Sequence, residues 1–117
     1  MVKQDHQPMA LAGLKVLDLS RILAGPYATQ LFADLGADVV KVENPDGGDD
    51  TRRWGPPFTT KADGGRGDAA YFSACNRNKR SITVDFASEA GADLLRDLAA
   101  KADIIVENFN CNPFGMR

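Results

Sequence analysis

The 117-residue chain has one histidine, His6, and it stands in a polar leader, MVKQDHQP, ahead of the first apolar pattern. A Ser-His-Asp triad, a Cys-His pair or a histidine-rich metal centre needs an imidazole on a rigid element, so those chemistries drop out and no metal site is expected. Cysteine is almost as scarce. Cys75 and Cys111 lie far apart without metal-ligand spacing, which reads as reduced thiols in a cytoplasmic protein. Basic residues are not in excess: 14 Lys and Arg against 16 Asp and Glu leave a formal charge of −2. Neither a nucleic acid nor an anionic membrane is therefore an expected partner, and any anion has to be held by a local cluster. Apolar runs such as Ile104 to Val106 fall far short of the roughly 20 residues of a membrane span, and no signal-peptide core follows Met1. Also missing are a G-x-G-x-x-G after the first strand and a G-x-x-x-x-G-K-[ST], which weakens a standard dinucleotide or P-loop reading.

What remains is a composition of 44% hydrophobic and 26% charged residues, suited to one small domain. KVLDLS, residues 15–20, reads as a buried strand. Gly25 and Pro26 signal a helix start, with proline at the first helical position, and Tyr27, Leu31 and Leu35 recur at i, i+4 and i+8 as its apolar stripe, widened by Ala28 and Phe32. Gly36 stops that helix, and DVVKVE, residues 38–43, follows as a second strand. Strand, helix and strand within about thirty residues form a βαβ unit with a parallel pair.

From Asn44 to about Asp68 periodicity vanishes and Gly, Pro and Asp dominate, which predicts a long ligand-side loop anchored by Trp54 and Phe58. A helical turn is expected at 69–74 and a third strand at 81–85. A helix opens at Ser88 with Leu94, Leu95 and Leu98 as its stripe, and a fourth strand runs over 103–108. The sum is an open, doubly wound, Rossmann-like α/β half-sheet of four parallel strands, and such sheets bind ligands beyond the carboxyl ends of their strands. Lacking further strands, the isolated half-sheet is expected to be marginally stable.

Three segments carry candidate chemistry. RILAGPYATQ offers backbone N–H groups near Ala24 to Tyr27 to a phosphate, or is simply a helix start. GGDDTRRWGPP joins Arg52 and Arg53 to Trp54: a guanidinium fork and a ring for a nucleotide, or a solvated cluster paired with Asp49 and Asp50. NRNKRS crowds Arg77, Lys79 and Arg80 before a strand, where they face either a phosphate-bearing ligand or solvent.

Taken in order, LAGLKVLDLSRILAGPYATQLFADLGADVVKVENPDGGDDTRRWGPP, YFSACNRNKRSITVDF and ADIIVENF resemble the opening of the family III CoA-transferases, also called CaiB/BaiF, over residues 10–109. That group includes formyl-CoA transferase, carnitine CoA-transferase and α-methylacyl-CoA racemase. The resemblance implies a nucleotide-binding domain that holds coenzyme A as part of an acyl-CoA substrate, with a carboxylic acid as the second substrate, no prosthetic group, and an interlocked homodimer for the full-length relative. It places CoA contacts at Leu23 and Ala24, at the loop of Cys75, Asn76, Arg77 and Asn78, and at Asn108, Phe109 and Asn110. Arg52 and Lys79 are the added charged candidates, because Asn44 stands where formyl-CoA transferases place an arginine. The family's nucleophile, an aspartate that carries the acyl group as a mixed anhydride, has no match here, so no catalytic residue is assigned. Residues 110–117, NCNPFGMR, depart from the family pattern and read as a non-native tail of a truncated or frame-shifted chain. The alternatives are a racemase-type member, whose acid/base pair would also lie further on, and a CoA-binding fragment without catalysis.

Overall fold

The computed structural model describes residues 7–110. His6, Cys111, residues 1–6 of the leader and residues 111–117 of the tail lie outside the described residues. The chain runs β1 (Lys15–Asp18), α1 (Ala24–Asp34), β2 (Asp38–Glu43), a 3-10 turn (Asp50–Arg53), β3 (Phe58–Thr60), β4 (Arg66–Ala69), α2 (Ala70–Asn76), β5 (Arg80–Thr83), α3 (Glu89–Lys101) and β6 (Ile104–Val106).

Strands β5, β2, β1 and β6 lie in that order in one sheet, all parallel. Successive residues of a strand point to opposite faces, and both faces are apolar at the centre. Val16 and Val39 are buried with Ala33 and Ala37 on the α1 side, while Leu17, Val42 and Val84 are buried on the other side against Leu95, Leu98 and Ala99 of α3. Fully burying a Val or Leu side chain stabilises by about 1.5–3 kcal/mol, so these two layers hold the α/β architecture that the strand pattern predicts.

Helix α1 ends as its glycine requires. Gly36 has φ +100°, its N–H donates to Ala33 O, and the N–H of Ala37 donates to Phe32 O at 3.0 Å, the paired bonds of a Schellman closure. Ser88 caps α3 by accepting the Gly91 N–H at 2.9 Å.

Four expectations are corrected. The Asn44 to Asp68 stretch is not one structureless loop: it holds the 3-10 turn and the antiparallel hairpin β3–β4. FTT and RGDA lack an apolar alternation, so pattern could not mark them; Arg66 stacking on the Phe58 ring at 4.4 Å helps close the pair. Among the described residues the expected four-stranded parallel sheet is thus joined by a second, two-stranded one, six strands in all. Pro26 is the third residue of α1, still within the first turn where its missing N–H costs nothing. Finally, the predicted apolar stripe faces outward: Tyr27, Leu31 and Leu35 are exposed, whereas Pro26, Thr29, Gln30 and Ala33 are buried. The remaining differences are shifts of one or two residues at element ends.

Candidate functional site

The chain builds outward from β1 to β2 to β5, then returns through α3 to place β6 on the other side of β1. The direction of winding thus reverses between β1 and β6, and an open α/β sheet leaves a crevice outside the strand ends at such a point. A cleft of about 440 Å³ lies there. Its walls are the turn after β1 (Leu19 to Ile22), the end of β2 with Asn44, Gly48 and Asp49, and Phe86 with Asn108, Phe109 and Asn110 after β6.

Each wall is fixed by side chains. Asn108 pairs with Arg21 twice, accepting its N–H at 3.0 Å and donating to its carbonyl at 2.8 Å, much as a strand neighbour would. Phe86 and Phe109 meet edge to face with centroids 6.3 Å apart, and Phe109 stays about half exposed. On the opposite side Lys41, wholly buried, donates to Ser20 O at 2.9 Å and to Asp49 at 2.9 Å. Asp49 also accepts the N–H of Ile22 at 3.2 Å and both donors of Thr51. Burial pushes the Asp49 carboxyl up, but the Thr51 N–H and the Lys41 ammonium outweigh it and hold the group below the usual carboxylate range.

Asp18, at the end of β1, is fully buried and accepts from Ser20 N–H at 2.9 Å, the Ser20 hydroxyl, Thr29 Oγ1 at 2.6 Å and Lys79 Nζ at 3.0 Å. Here too the hydrogen bonds from Ser20 and Thr29 outweigh the upward push of burial, so the carboxyl titrates lower than usual. Gly25 is needed beside this group, because a Cβ there would stand 2.3 Å from Ser20 Cβ. The close approach brings the start of α1 onto the turn after β1. Tyr27 N–H donates to Leu23 O at 2.8 Å, so that amide is committed to the helix. The amides of Ala24 and Gly25 have no partner among the described residues, as a helix start leaves them. The buried side-chain oxygen of Asn44 also has no partner among the described residues.

The sequence-predicted residues divide into two groups. Asn108, Phe109 and Asn110 line the crevice, and Leu23 and Ala24 stand just past the turn that forms its wall. Cys75, Asn76, Arg77, Asn78 and Lys79 gather instead around α2 and the flank of α1. Cys75 is buried with a free thiol, and Asn76 donates to Phe72 O. Arg77 and Asn78 both bind Asp34, the last residue of α1, ten positions or about 15 Å along the helix from Ala24. Lys79 spends three donors on Asp18, Pro26 O and Asn76 Oδ1, all an ammonium has. Arg52 forks onto Glu43 at 2.8 and 2.6 Å, reaches Asp68 at 2.7 Å and lies over the Phe72 ring at 3.7 Å. Burial would push Glu43 up, yet Arg52 and Ser81 bring its pKa down to about 2.

Sequence reasoning passed over Arg21 as an anion ligand. Its side chain and that of Arg53 both contact Asp50, at 2.8 and 2.9 Å, so two half-exposed guanidiniums share one carboxylate beside the cleft. It also passed over Lys41 and Asp49. A lysine inside an apolar strand was the available signal, since a central strand has no solvent for its ammonium.

The family model for CoA-transferase family III matches residues 11–114. The chain is 52% identical over 109 residues to the succinate–glutarate CoA-transferase of Agrobacterium fabrum, covering 93% of this chain and 27% of that protein. It is 48% identical over 99 residues to human succinyl-CoA:glutarate CoA-transferase, covering 85% of this chain and 21% of that one. A crystal structure of a CAIB/BAIF family protein from Brucella suis superposes with a TM-score of 0.81 at 60% identity, over 88% of this chain and 26% of that one. The chain spans about a quarter of the length of these relatives. Among the described residues no helix is long and apolar enough to cross a membrane. With a family match across nearly its whole length and a parallel sheet that superposes on a solved relative, the chain belongs to CoA-transferase family III.

Proposed function

We propose that the crevice between β1 and β6 receives the coenzyme A portion of an acyl-CoA, and that the protein moves CoA between such a thioester and a free carboxylic acid. The observation that carries this is the cleft at the winding reversal, walled by Asn108 to Asn110 and by the turn leading into α1, in a chain of this family. The unpartnered N–H groups at the start of α1 and the Arg21 and Arg53 guanidiniums suit phosphate oxygens. Phe109 offers a ring to an adenine. Asn44 supplies a neutral acceptor for an amino or hydroxyl group, in place of a charged phosphate ligand. Because the curated relatives are named for succinyl-CoA and glutarate, dicarboxylic acids are the substrate class to test first.

The chemistry is read as attack of an aspartate carboxylate on the thioester, with CoA thiolate leaving and an acyl anhydride as the intermediate. That aspartate is placed outside this chain, whose own residues bind and orient the nucleotide end. Titration calorimetry of CoA against the chain tests the reading. Binding is expected, weakened about tenfold or more by Arg21→Ala, since a lost charge-assisted hydrogen bond costs about 1.5–3 kcal/mol, and weakened also by Asn108→Ala, which frees the Arg21 backbone from its clamp. Absence of binding, or equal affinity in both variants, overturns it.

A further inference from the structure

Behind the crevice lies an ion pair that a sheet interior does not need. Lys41 and Asp49 are each 1% exposed. Taking two charges out of water costs about as much as their attraction returns, and apolar residues of similar volume often serve stability equally well. What the pair does have is reach. Lys41 holds the carbonyl of Ser20, and Asp49 holds the N–H of Ile22, so one pair grips the backbone on both sides of Arg21. Through Thr51 the same carboxylate is tied to the 3-10 turn. The gripped segment is strained: Ile22 has φ +72°, in the left-handed region that a β-branched residue avoids. Such a conformation persists only where its surroundings over-determine it.

We propose that the buried Lys41–Asp49 pair is a positioning device that holds Ile22 in its left-handed kink and so presents Arg21 and the start of α1 to the ligand. The inference rests on reading the crevice as the CoA site. A leucine at 41 would fill the same volume but grip nothing. Asn108 clamps Arg21 from the β6 side, so the turn is held from two strands at once and has little freedom left to lose on binding.

The test uses the isotope-labelled chain with Lys41→Met, Asp49→Asn, Lys41→Arg and the double change Lys41→Met/Asp49→Leu. The readouts are the Ile22 HN–Hα coupling and Cα and Cβ shifts, CoA affinity by calorimetry well below the unfolding midpoint, and the midpoint itself. In Lys41→Met and Asp49→Asn, Ile22 is expected to leave the left-handed region and CoA affinity to fall about tenfold. Lys41→Arg keeps a charged donor and should retain the Ile22 signals and most of the affinity. Where a single change leaves a buried charge and unfolds the chain, the double change removes both charges and keeps the volume. It should fold, with Ile22 released and affinity lost. A lower midpoint with unchanged Ile22 signals and unchanged affinity would overturn the proposal. If the unmodified chain bound no CoA while the variants still released Ile22, the crevice reading would fall and the positioning role would stand.

Discussion

On the face of α1 that meets the sheet stand Pro26, Thr29, Gln30 and Ala33; on the face turned away stand Tyr27, Leu31 and Leu35, each about half exposed. The inner face carries the hydrogen bonds and the outer face the larger apolar groups. Thr29 serves Asp18, and Gln30 joins α1 to α2 by donating to Ala74 O at 2.9 Å and accepting the Arg77 N–H at 3.0 Å. The outer stripe has no comparable use among the described residues. A periodic stripe of leucines thus says where apolar surface is to be covered, but not by which part of a protein. The inner contact is chosen for what it must orient, namely the end of β1 and the loop before β5.

Acid should separate the two faces most strongly. Asp18, Glu43 and Asp49 all titrate below their unfolded values, so the stability they contribute is complete above about pH 4.5 and is lost as pH falls toward the Glu43 value of about 2. Circular dichroism along a pH series is expected to show unfolding within that window. A chain still folded at pH 2 would mean that the apolar layers alone suffice. Next in size is Lys79→Met, which leaves Asp18 charged, buried and short of a partner; removing one member of a buried pair costs about 3–5 kcal/mol, readable as a fall in the urea midpoint. Gln30→Leu comes third. It strands the Ala74 carbonyl and the Arg77 amide, for a loss of about 1–3 kcal/mol by the same measurement. Smallest is Leu31→Ser, expected to change unfolding free energy by no more than about 0.5 kcal/mol while lowering self-association in sedimentation. A loss of 2 kcal/mol there would show that the outer face is covered in solution, and the contrast between the faces would close.

How much of this could be read beforehand depends on what each feature rests on. The four parallel strands and two long helices follow from apolar runs and from punctuation such as the Gly36 stop and the Ser88 start, because those signals are local. The hairpin β3–β4 did not show, since its strands are short and polar and its pairing is a tertiary fact. The apolar stripe of α1 was legible but its orientation was not, because periodicity alone does not say which face meets the sheet. The crevice was legible in outline, from the rule that ligands lie beyond strand ends, and Asn108, Phe109 and Asn110 do line it. The charges were not. Arg52, Arg77 and Lys79 were candidates by residue type alone, because their partners, Glu43, Asp34 and Asp18, are 9 to 61 positions away in sequence and leave no local signal.

The pairing of β1 with β6 bears on the order in which the chain can become structured. Among the described residues β1 precedes every other strand and lies in the interior of the sheet, while its second neighbour, β6, follows all of them. The bond from Lys15 N–H to the Asp103 carboxylate spans 88 residues, and Leu19 N–H waits for Val106 O. Until β6 emerges, β1 keeps an open edge toward any other extended chain, and contacts this distant in sequence form late because loop closure precedes their reward. The crevice is completed by the same event, so a nascent chain has no site to offer a ligand until nearly all of these residues have been made.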